Sequence, residues 1–221
     1  MTEAATGVYG DERYFTRLAA AFVRGKLSGL ATGLSPDEVI AAGLAAGLRL
    51  HKFKRNAELP RVRKVLGILR GLSPASLLDV GSGRGTFLWP LLDAFPHLHV
   101  TSVDVDPARV ADIAAVSGGG LSNLRALRAD AAALGLEDGC ADVVTALEVL
   151  EHVHAPRSAA AEAVRVAAGY VVASVPSKED DNPEHVNFFD RRGFESLLLD
   201  AGAKGVKIDY VHNHMIAVAR V

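Results

Sequence analysis

The first third of the chain carries a helical pattern of apolar residues. Between residues 11 and 72, apolar side chains recur at spacings of three and four, as they do on one face of a helix. Ser35 and Pro36 predict the cap and the first position of a second helix that runs toward residues 50–53. Pro60 predicts the start of a third helix. This part of the chain is therefore expected to be helical throughout.

Beyond this region, short apolar runs alternate with amphipathic ones. The predicted strands cover residues 76–80, 99–104, 124–128, 142–147, 170–175, 206–211 and 215–221. The predicted helices cover residues 86–95, 107–117, 155–168 and 191–201. Such alternation is typical of a parallel sheet covered on both faces, and the short gap between the last two strands predicts an antiparallel hairpin. We expect an α/β fold, with a Rossmann-like domain at residues 72–221 and a helical N-terminal cap at residues 1–71.

The composition narrows the class of protein. The 221 residues, 49% of them apolar, suffice for one such domain and an accessory segment. A single cysteine, Cys140, excludes an intramolecular disulfide and a cysteine-based zinc site. The N-terminus lacks the features of a signal peptide, and charges interrupt every apolar run before it could span a membrane. We expect a cytoplasmic protein, and its oligomeric state stays open.

A glycine-rich turn follows the first predicted strand. Asp79-Val80-Gly81-Ser82-Gly83-Arg84-Gly85 joins that strand to a helix, and glycines there let a ligand approach the backbone. The next strand ends at Asp104, where a carboxylate can accept hydrogen bonds from both hydroxyls of a ribose. A nicotinamide dinucleotide site would need a glycine at the position of Thr86. The spacing therefore favours a smaller nucleoside ligand.

These residues resemble a known family. Residues 79–85 are similar to the first motif of class I S-adenosylmethionine-dependent methyltransferases, and residues 136–144 resemble a later segment of that family without its usual Pro and Phe. The resemblance covers about residues 70–221 and implies a seven-stranded sheet whose last strand is antiparallel. It implies that the glycines face the methionine part of the cofactor, that Asp104 holds the ribose and that Asp130 lies by the adenine. The cofactor-binding residues expected are Asp79, Gly81, Gly83, Gly85, Asp104, Asp130 and Glu148.

Two glutamates and two histidines form a second candidate site. Glu148, Glu151 and His152 follow the fourth predicted strand, and a helical turn there would project them from one face. His185 follows the fifth strand, so the four side chains could converge and hold a divalent cation. Similar segments occur in ubiquinone-type O-methyltransferases and in small-RNA 3′-terminal 2′-O-methyltransferases. Resemblance to the second group implies a metal ion, Mg²⁺, Mn²⁺ or Co²⁺.

The same four residues are the candidate catalytic groups. Any of them could remove a proton from the methyl acceptor, or a bound metal could lower the pKa of that acceptor. In the metal-free alternative, His152 and the two glutamates cap and orient a helix that lines the pocket, and the segment around His185 is an ordinary lid. We expect the other histidines of these regions to lie at the surface or in turns; they are His154, His212 and His214.

Basic residues are concentrated between residues 49 and 70. They are Arg49, Lys52, Lys54, Arg55, Arg61, Arg63, Lys64 and Arg70, against the single acid Glu58. Such a segment could attract a phosphate-bearing acceptor or an RNA end, but a solvated helix face explains it as well. We predict a methyltransferase that acts on an oxygen or nitrogen of a small molecule. The alternatives are metal-dependent 2′-O-methylation of an RNA or nucleotide ribose, a nicotinamide-dependent oxidoreductase, and a non-catalytic S-adenosylmethionine-binding protein.

Overall fold

The computed structural model describes residues 14–55, 59–179 and 181–221. Its helices are α1 (Thr16–Lys26), α2 (Pro36–Ala45), α3 (Pro60–Leu72), α4 (Leu88–Ala94), α5 (Pro107–Gly118), α6 (Pro156–Val166) and α7 (Arg191–Asp200). Its strands are β1 (Ser76–Val80), β2 (His99–Asp104), β3 (Leu124–Arg128), β4 (Ala141–Leu147), β5 (Ala167–Pro176), β6 (Gly205–Val211) and β7 (His214–Arg220). The strands form one sheet in the order β3-β2-β1-β4-β5-β7-β6, in which β7 runs antiparallel to the other six strands. The predicted Rossmann-like sheet with a closing hairpin is confirmed.

Both faces of the sheet are buried. Successive residues of β1, Leu77 and Leu78, point into two separate hydrophobic cores, one on each face. Val143 and Val144 of β4 do the same. Because both faces of these strands are buried, their side chains do not alternate between apolar and polar, and the segments are continuous apolar runs. Within the described ranges, no helix is long and apolar enough to cross a membrane.

The N-terminal helices cover one face of the sheet. α1 buries six consecutive residues, Leu18–Val23, and packs against α5. Two glycines permit this close contact. A Cβ on Gly25 would lie 1.9 Å from the carbonyl oxygen of Ala115, and one on Gly119 would lie 1.7 Å from that of Ala21. Side chains of α1, α2 and α3 share a single core with this face of the sheet, and the boundary between cap and domain stays a prediction.

Two helix ends differ from the prediction. α2 ends at Ala45 instead of continuing to residues 50–53, because Gly47 adopts a left-handed φ of 79° that interrupts the helix. α6 ends at Val166 and β5 begins directly after it, at Ala167, so the strand replaces the last residues of the predicted helix.

The closing hairpin turns on His212 and Asn213. Asn213 has a φ of 63°, which suits the tight two-residue turn between antiparallel strands. His214, expected in the turn or at the surface, is the first residue of β7 and pairs with Pro176 of β5 and Val211 of β6. That expectation was wrong, because the turn is one residue shorter than predicted.

Candidate active site

A cavity of about 710 Å³ opens at the carboxyl ends of the central strands. Open α/β sheets bind ligands at this edge, where the strand order reverses between β1 and β4. The volume lies within the range of about 300–1,000 Å³ that is usual for ligand pockets. The predicted site residues that line it are Asp79, Gly81, Gly83, Asp104, Asp130, Glu148 and His152. Gly85 and Glu151 are not part of this lining, and His185 lines a separate cavity of about 300 Å³.

The glycine loop is fixed to the end of the neighbouring strand. The N–H of Gly81 donates to the carbonyl oxygen of Val103 at 2.8 Å, and the N–H of Gly83 donates to Oδ2 of Asp104 at 2.8 Å. Gly83 has a φ of 57°, and a Cβ placed there would meet only the Gly81 carbonyl oxygen, 3.8 Å away. The loop therefore presents bare backbone to the cavity at Gly83.

The other two glycines of the loop make room for side chains of the protein. A Cβ on Gly85 would lie 2.0 Å from the indole nitrogen of Trp89, and one on Gly81 would lie 2.5 Å from Cγ2 of Val149. The Trp89 indole donates a hydrogen bond to the carbonyl oxygen of Arg84 at 2.9 Å, which closes the loop. The glycine pattern thus combines a packing requirement at two positions with an open approach at the third.

A buried carboxylate lies beside the loop. Asp79 is 2% exposed and accepts hydrogen bonds from the hydroxyls of Ser82 and Thr145, each at 2.7 Å. Ser102 donates to the hydroxyl oxygen of Ser82 at 2.7 Å and extends the network to β2. Burial raises the pKa of Asp79 to about 6, although both hydrogen bonds act in the opposite direction. A positively charged ligand in the cavity would favour its ionised form.

The two predicted nucleoside-binding acids lie at the carboxyl ends of consecutive strands, β2 and β3. Asp104, 4% exposed, accepts a further hydrogen bond at Oδ1 from the N–H of Asp106 at 3.0 Å, and the guanidinium of Arg109 lies 3.7 Å from its Oδ2. Asp130, beyond the end of β3, is exposed and lines the same cavity. Their positions agree with a ribose and an adenine site, and these roles stay predictions.

Glu148 points away from the expected metal site. It follows β4 with a φ of 57°, in the left-handed region, so no helical turn begins there. Its Oε1 accepts a hydrogen bond from the hydroxyl of Ser174 on β5 at 2.7 Å, and its Oε2 lies 2.9 Å from Nε2 of His214 on β7. The expected helical face shared with Glu151 and His152 is therefore wrong, because the left-handed backbone turns the Glu148 side chain toward β5 and β7.

His214 is the ionised partner of Glu148. Its Nδ1 lies 2.9 Å from the carbonyl oxygen of His212 while its Nε2 faces the carboxylate. A carbonyl and a carboxylate both accept, so both ring nitrogens donate, as in an imidazolium. The hydrogen bond to Glu148 raises the pKa of His214 against the effect of burial. Burial alone would raise the pKa of Glu148, but the hydrogen bonds from His214 and Ser174 outweigh it and lower that pKa.

Three of the four predicted metal ligands come together. Ligand-type atoms of Glu151, His152 and His185 lie within 4.8 Å of one another, and the two imidazole rings are 4.7 Å apart in an edge-to-face arrangement. The backbone assembles this cluster, because the N–H groups of Val186 and Asn187 donate to the carbonyl oxygen of Glu151 at 2.8 Å and 3.1 Å. The cluster is thus positioned by the loop after β5, independently of Glu148.

Three cations of the basic segment pair with carboxylates of the sheet domain. Ion pairs join Lys52 to Asp112, Arg55 to Asp93 and Lys64 to Asp209. These contacts hold the N-terminal helices in place, which is a structural use that neither predicted interpretation of the segment anticipated. Of its eight cations, all of them described, Arg61 lines the cavity. Glu58 lies outside the described residues.

Comparisons with known proteins find methyltransferases in each case. Residues 78–172 match the family model described as a methyltransferase domain. A malonyl-[acyl-carrier protein] O-methyltransferase from Geobacter sulfurreducens is 33% identical over 109 residues, which cover 48% of this chain and 40% of that protein. The chain therefore spans about two fifths of the length of this curated relative.

Solved structures share the fold. A S-adenosylmethionine-dependent methyltransferase from Aquifex aeolicus has a TM-score of 0.61 at 26% identity, over 74% of this chain and 90% of that one. The methyltransferase domain of bacterial CtHen1-C has a TM-score of 0.59 at 18% identity, over 73% and 97% of the two chains, and shows the fold alone. With the topology and the glycine loop, these findings support a class I S-adenosylmethionine-dependent methyltransferase. The family supports S-adenosylmethionine as the cofactor.

Proposed function

We propose that the protein transfers the methyl group of S-adenosylmethionine to an oxygen or nitrogen atom of a small molecule. The observation that carries this proposal is the hydrogen bond from Gly83 to Asp104, which couples the open glycine loop to the acid of the next strand over one cavity. When bound, S-adenosylmethionine supplies an electrophilic methyl group on a positively charged sulfur. The relative from Geobacter sulfurreducens is named an O-methyltransferase, which supports an oxygen acceptor.

The sheet topology divides the cavity into two sides. Gly83 follows β1, Asp104 is the last residue of β2 and Asp130 follows β3, and we assign this side to the cofactor. Glu148 and His152 follow β4 and border the other side, which we assign to the acceptor. Methyl transfer is an in-line displacement, so the largest contribution of the protein is to hold the two reactants in line and to exclude water.

His152 is the base that the geometry favours for an acceptor that must lose a proton. Its Nδ1 lies 2.9 Å from the carbonyl oxygen of Glu184, which assigns the ring hydrogen to Nδ1 and leaves a lone pair on Nε2. The lowered pKa of Glu148 makes that carboxylate a weaker base than an ordinary glutamate.

Binding and turnover test this proposal separately. S-Adenosylhomocysteine should raise the melting temperature of the protein, and a nicotinamide dinucleotide should not, because only a ligand of the folded state stabilises it. A panel of small-molecule acceptors with isotope-labelled cofactor then reports methyl transfer, with His152→Ala as the matched inactive variant. Cofactor binding without transfer to any acceptor would favour the non-catalytic alternative, and a shift with the dinucleotide alone would reject the methyltransferase.

We further propose, as the second candidate, that Glu151, His152 and His185 hold a divalent cation. Two imidazoles and a carboxylate suit Mn²⁺ or Co²⁺ better than Mg²⁺, which prefers oxygen ligands. The separation of their ligand atoms, within 4.8 Å, is close to what a common ion requires. Such an ion would lower the pKa of an acceptor hydroxyl, which is the chemistry needed for 2′-O-methylation of a ribose in RNA or a nucleotide.

Metal binding is measured directly. Calorimetric titration of metal-free protein with Mn²⁺ should show one site, and His185→Ala should abolish it, whereas replacement of the exposed His99 should not. S-Adenosylhomocysteine binding should survive chelation, because the glycine loop does not use the cluster. Absence of binding heat together with full activity in metal-free buffer would reject the cation, and with it the ribose alternative.

A further inference from the structure

One cation of the basic segment faces the cavity. Arg61, in the first turn of α3, is half-buried and lines the cavity together with Leu147 and Glu148. Within the part of the chain that the structure describes, its guanidinium has neither a hydrogen bond nor an ion pair. This sets it apart from Lys52 and Lys64 of the same segment, which are tied to carboxylates. Arg61 is therefore free for a ligand.

Glu148, a carboxylate on this side of the cavity, is already paired within the protein. Glu148 is bonded to the His214 imidazolium and to the Ser174 hydroxyl. Arg61 lies close enough to act electrostatically on Glu148 and on His214, so the three groups form one charged neighbourhood. When His214 is protonated, two positive charges and one negative charge leave these three groups with an excess positive charge. A cavity wall of this kind attracts an anionic group.

Arg61 belongs to the acceptor side of the cavity. α3 packs against β6 and β7, beyond β4 and β5 in the sheet and away from Asp104 and Asp130 at the ends of β2 and β3. Another arginine that lines this cavity, Arg109, pairs with Asp104 and Asp106 on the cofactor side. The charge of Arg61 therefore meets whatever occupies the β4–β5–β7 side.

We propose that Arg61 binds an oxyanion group, a carboxylate or a phosphate, carried by the methyl acceptor. The planar guanidinium donates two parallel hydrogen bonds to such a group and so orients the acceptor as well as holding it. This inference rests on the proposed methyl transfer and deepens it, since it restricts the acceptor to anionic small molecules. Of the eight cations of the basic segment, the proposal assigns contact with the ligand to Arg61 alone.

The test uses simple anions as probes of the cofactor-loaded protein. Malonate and inorganic phosphate are titrated separately by calorimetry into protein saturated with S-adenosylhomocysteine. Arg61→Met should weaken the binding of the preferred anion by roughly tenfold to a hundredfold, the effect of losing a charged hydrogen-bonded contact. Arg61→Lys keeps the charge but loses the paired donors of the guanidinium, so its affinity for the anion should lie between those of the wild type and of Arg61→Met. Arg63→Met removes the same charge from an exposed position of the same helix and should bind like the wild type.

The outcomes separate the sources of the oxyanion. If malonate binds more tightly than phosphate and its binding depends on Arg61, the acceptor carries a carboxylate. If phosphate binds more tightly and its binding depends on Arg61, the acceptor carries a phosphate. Unchanged anion binding in Arg61→Met, or none in the wild type, overturns the proposal. If Arg61→Met weakens S-adenosylhomocysteine but not 5′-methylthioadenosine, which lacks the amino acid, the carboxylate is that of the cofactor and the acceptor assignment is overturned. Failure of the wild type to bind S-adenosylhomocysteine at all would instead refute the proposed function.

Discussion

Replacing His214 by alanine tests whether an ion pair ties the ends of β4 and β7 together. The side chains of His214 and Glu148 are 18% and 21% exposed, so water screens the pair only in part. A hydrogen bond to a charged group contributes about 1.5–3 kcal/mol, and partial exposure lowers that figure. We expect His214→Ala to reduce the free energy of unfolding by about 1–2 kcal/mol.

The pH dependence of this effect has a defined sign. The pKa of His214 is raised, so its contribution is complete below the ordinary value of 6.5 and is lost as the pH rises through the folded-state pKa. The pKa of Glu148 is lowered, so its contribution is complete above the ordinary value of 4.5 and is lost as the pH falls through the folded-state pKa. The pair is therefore most stabilising between these two values.

Urea denaturation of four proteins measures the pair. The wild type, His214→Ala, Glu148→Gln and the double variant form a cycle whose coupling energy should be about 1–2 kcal/mol near pH 6 and should approach zero near pH 9. His97→Ala, at an exposed position of a loop, controls for the loss of a histidine and should change little at either pH. A coupling energy that is the same at both pH values would refute the ionic account.

Three further predictions follow from the glycine loop and its acids. Burial raises the pKa of Asp79 to about 6, so the wild type loses stability as the pH rises through that value, whereas an amide at this position does not titrate. The free energy of unfolding of cofactor-free Asp79→Asn, relative to that of the wild type, should therefore be about 3 kcal/mol more favourable at about pH 8 than at about pH 4. Gly85→Ala, which overlaps Trp89, should cost about 3 kcal/mol or more in urea denaturation, whereas Gly47→Ala, at a similar φ with open space, should cost about 1–2 kcal/mol. Asp104→Ala should weaken S-adenosylhomocysteine binding roughly tenfold to a few hundredfold by calorimetry, and an unchanged dissociation constant would remove it from the ribose role.

The sheet was predictable because its signals are local. Each parallel strand is a short apolar run, and each is separated from the next by an amphipathic helix, so element type and order follow from the sequence without knowledge of contacts. The glycine loop was predictable for the same reason, since Gly81 and Gly83 lie between a strand and a helix. The loop's third glycine was harder to interpret, because packing against Trp89 selects glycine as strongly as an approaching ligand does.

The acceptor side depended on contacts between distant segments. Glu148 and His214 are far apart in sequence and meet only because β7 inserts beside β5. A left-handed backbone at a glutamate has no sequence signature, so the helical projection expected for Glu148 was the natural inference. One available signal was Asn213, a residue that tolerates this backbone and marks a two-residue hairpin. Recognising it would have moved His214 from the turn into the strand.

The family match covers the glycine loop but not the two basic residues that approach Glu148. The matched residues, 78–172, contain the glycine loop and the two acids predicted to bind the nucleoside, Asp104 and Asp130. Arg61 on α3 and His214 on β7 both lie outside that range, yet they converge on Glu148 inside it. The charge of the acceptor side is therefore set by elements that flank the matched domain. Specificity for the acceptor should follow changes in these flanking elements, whereas cofactor affinity should follow changes in the loop.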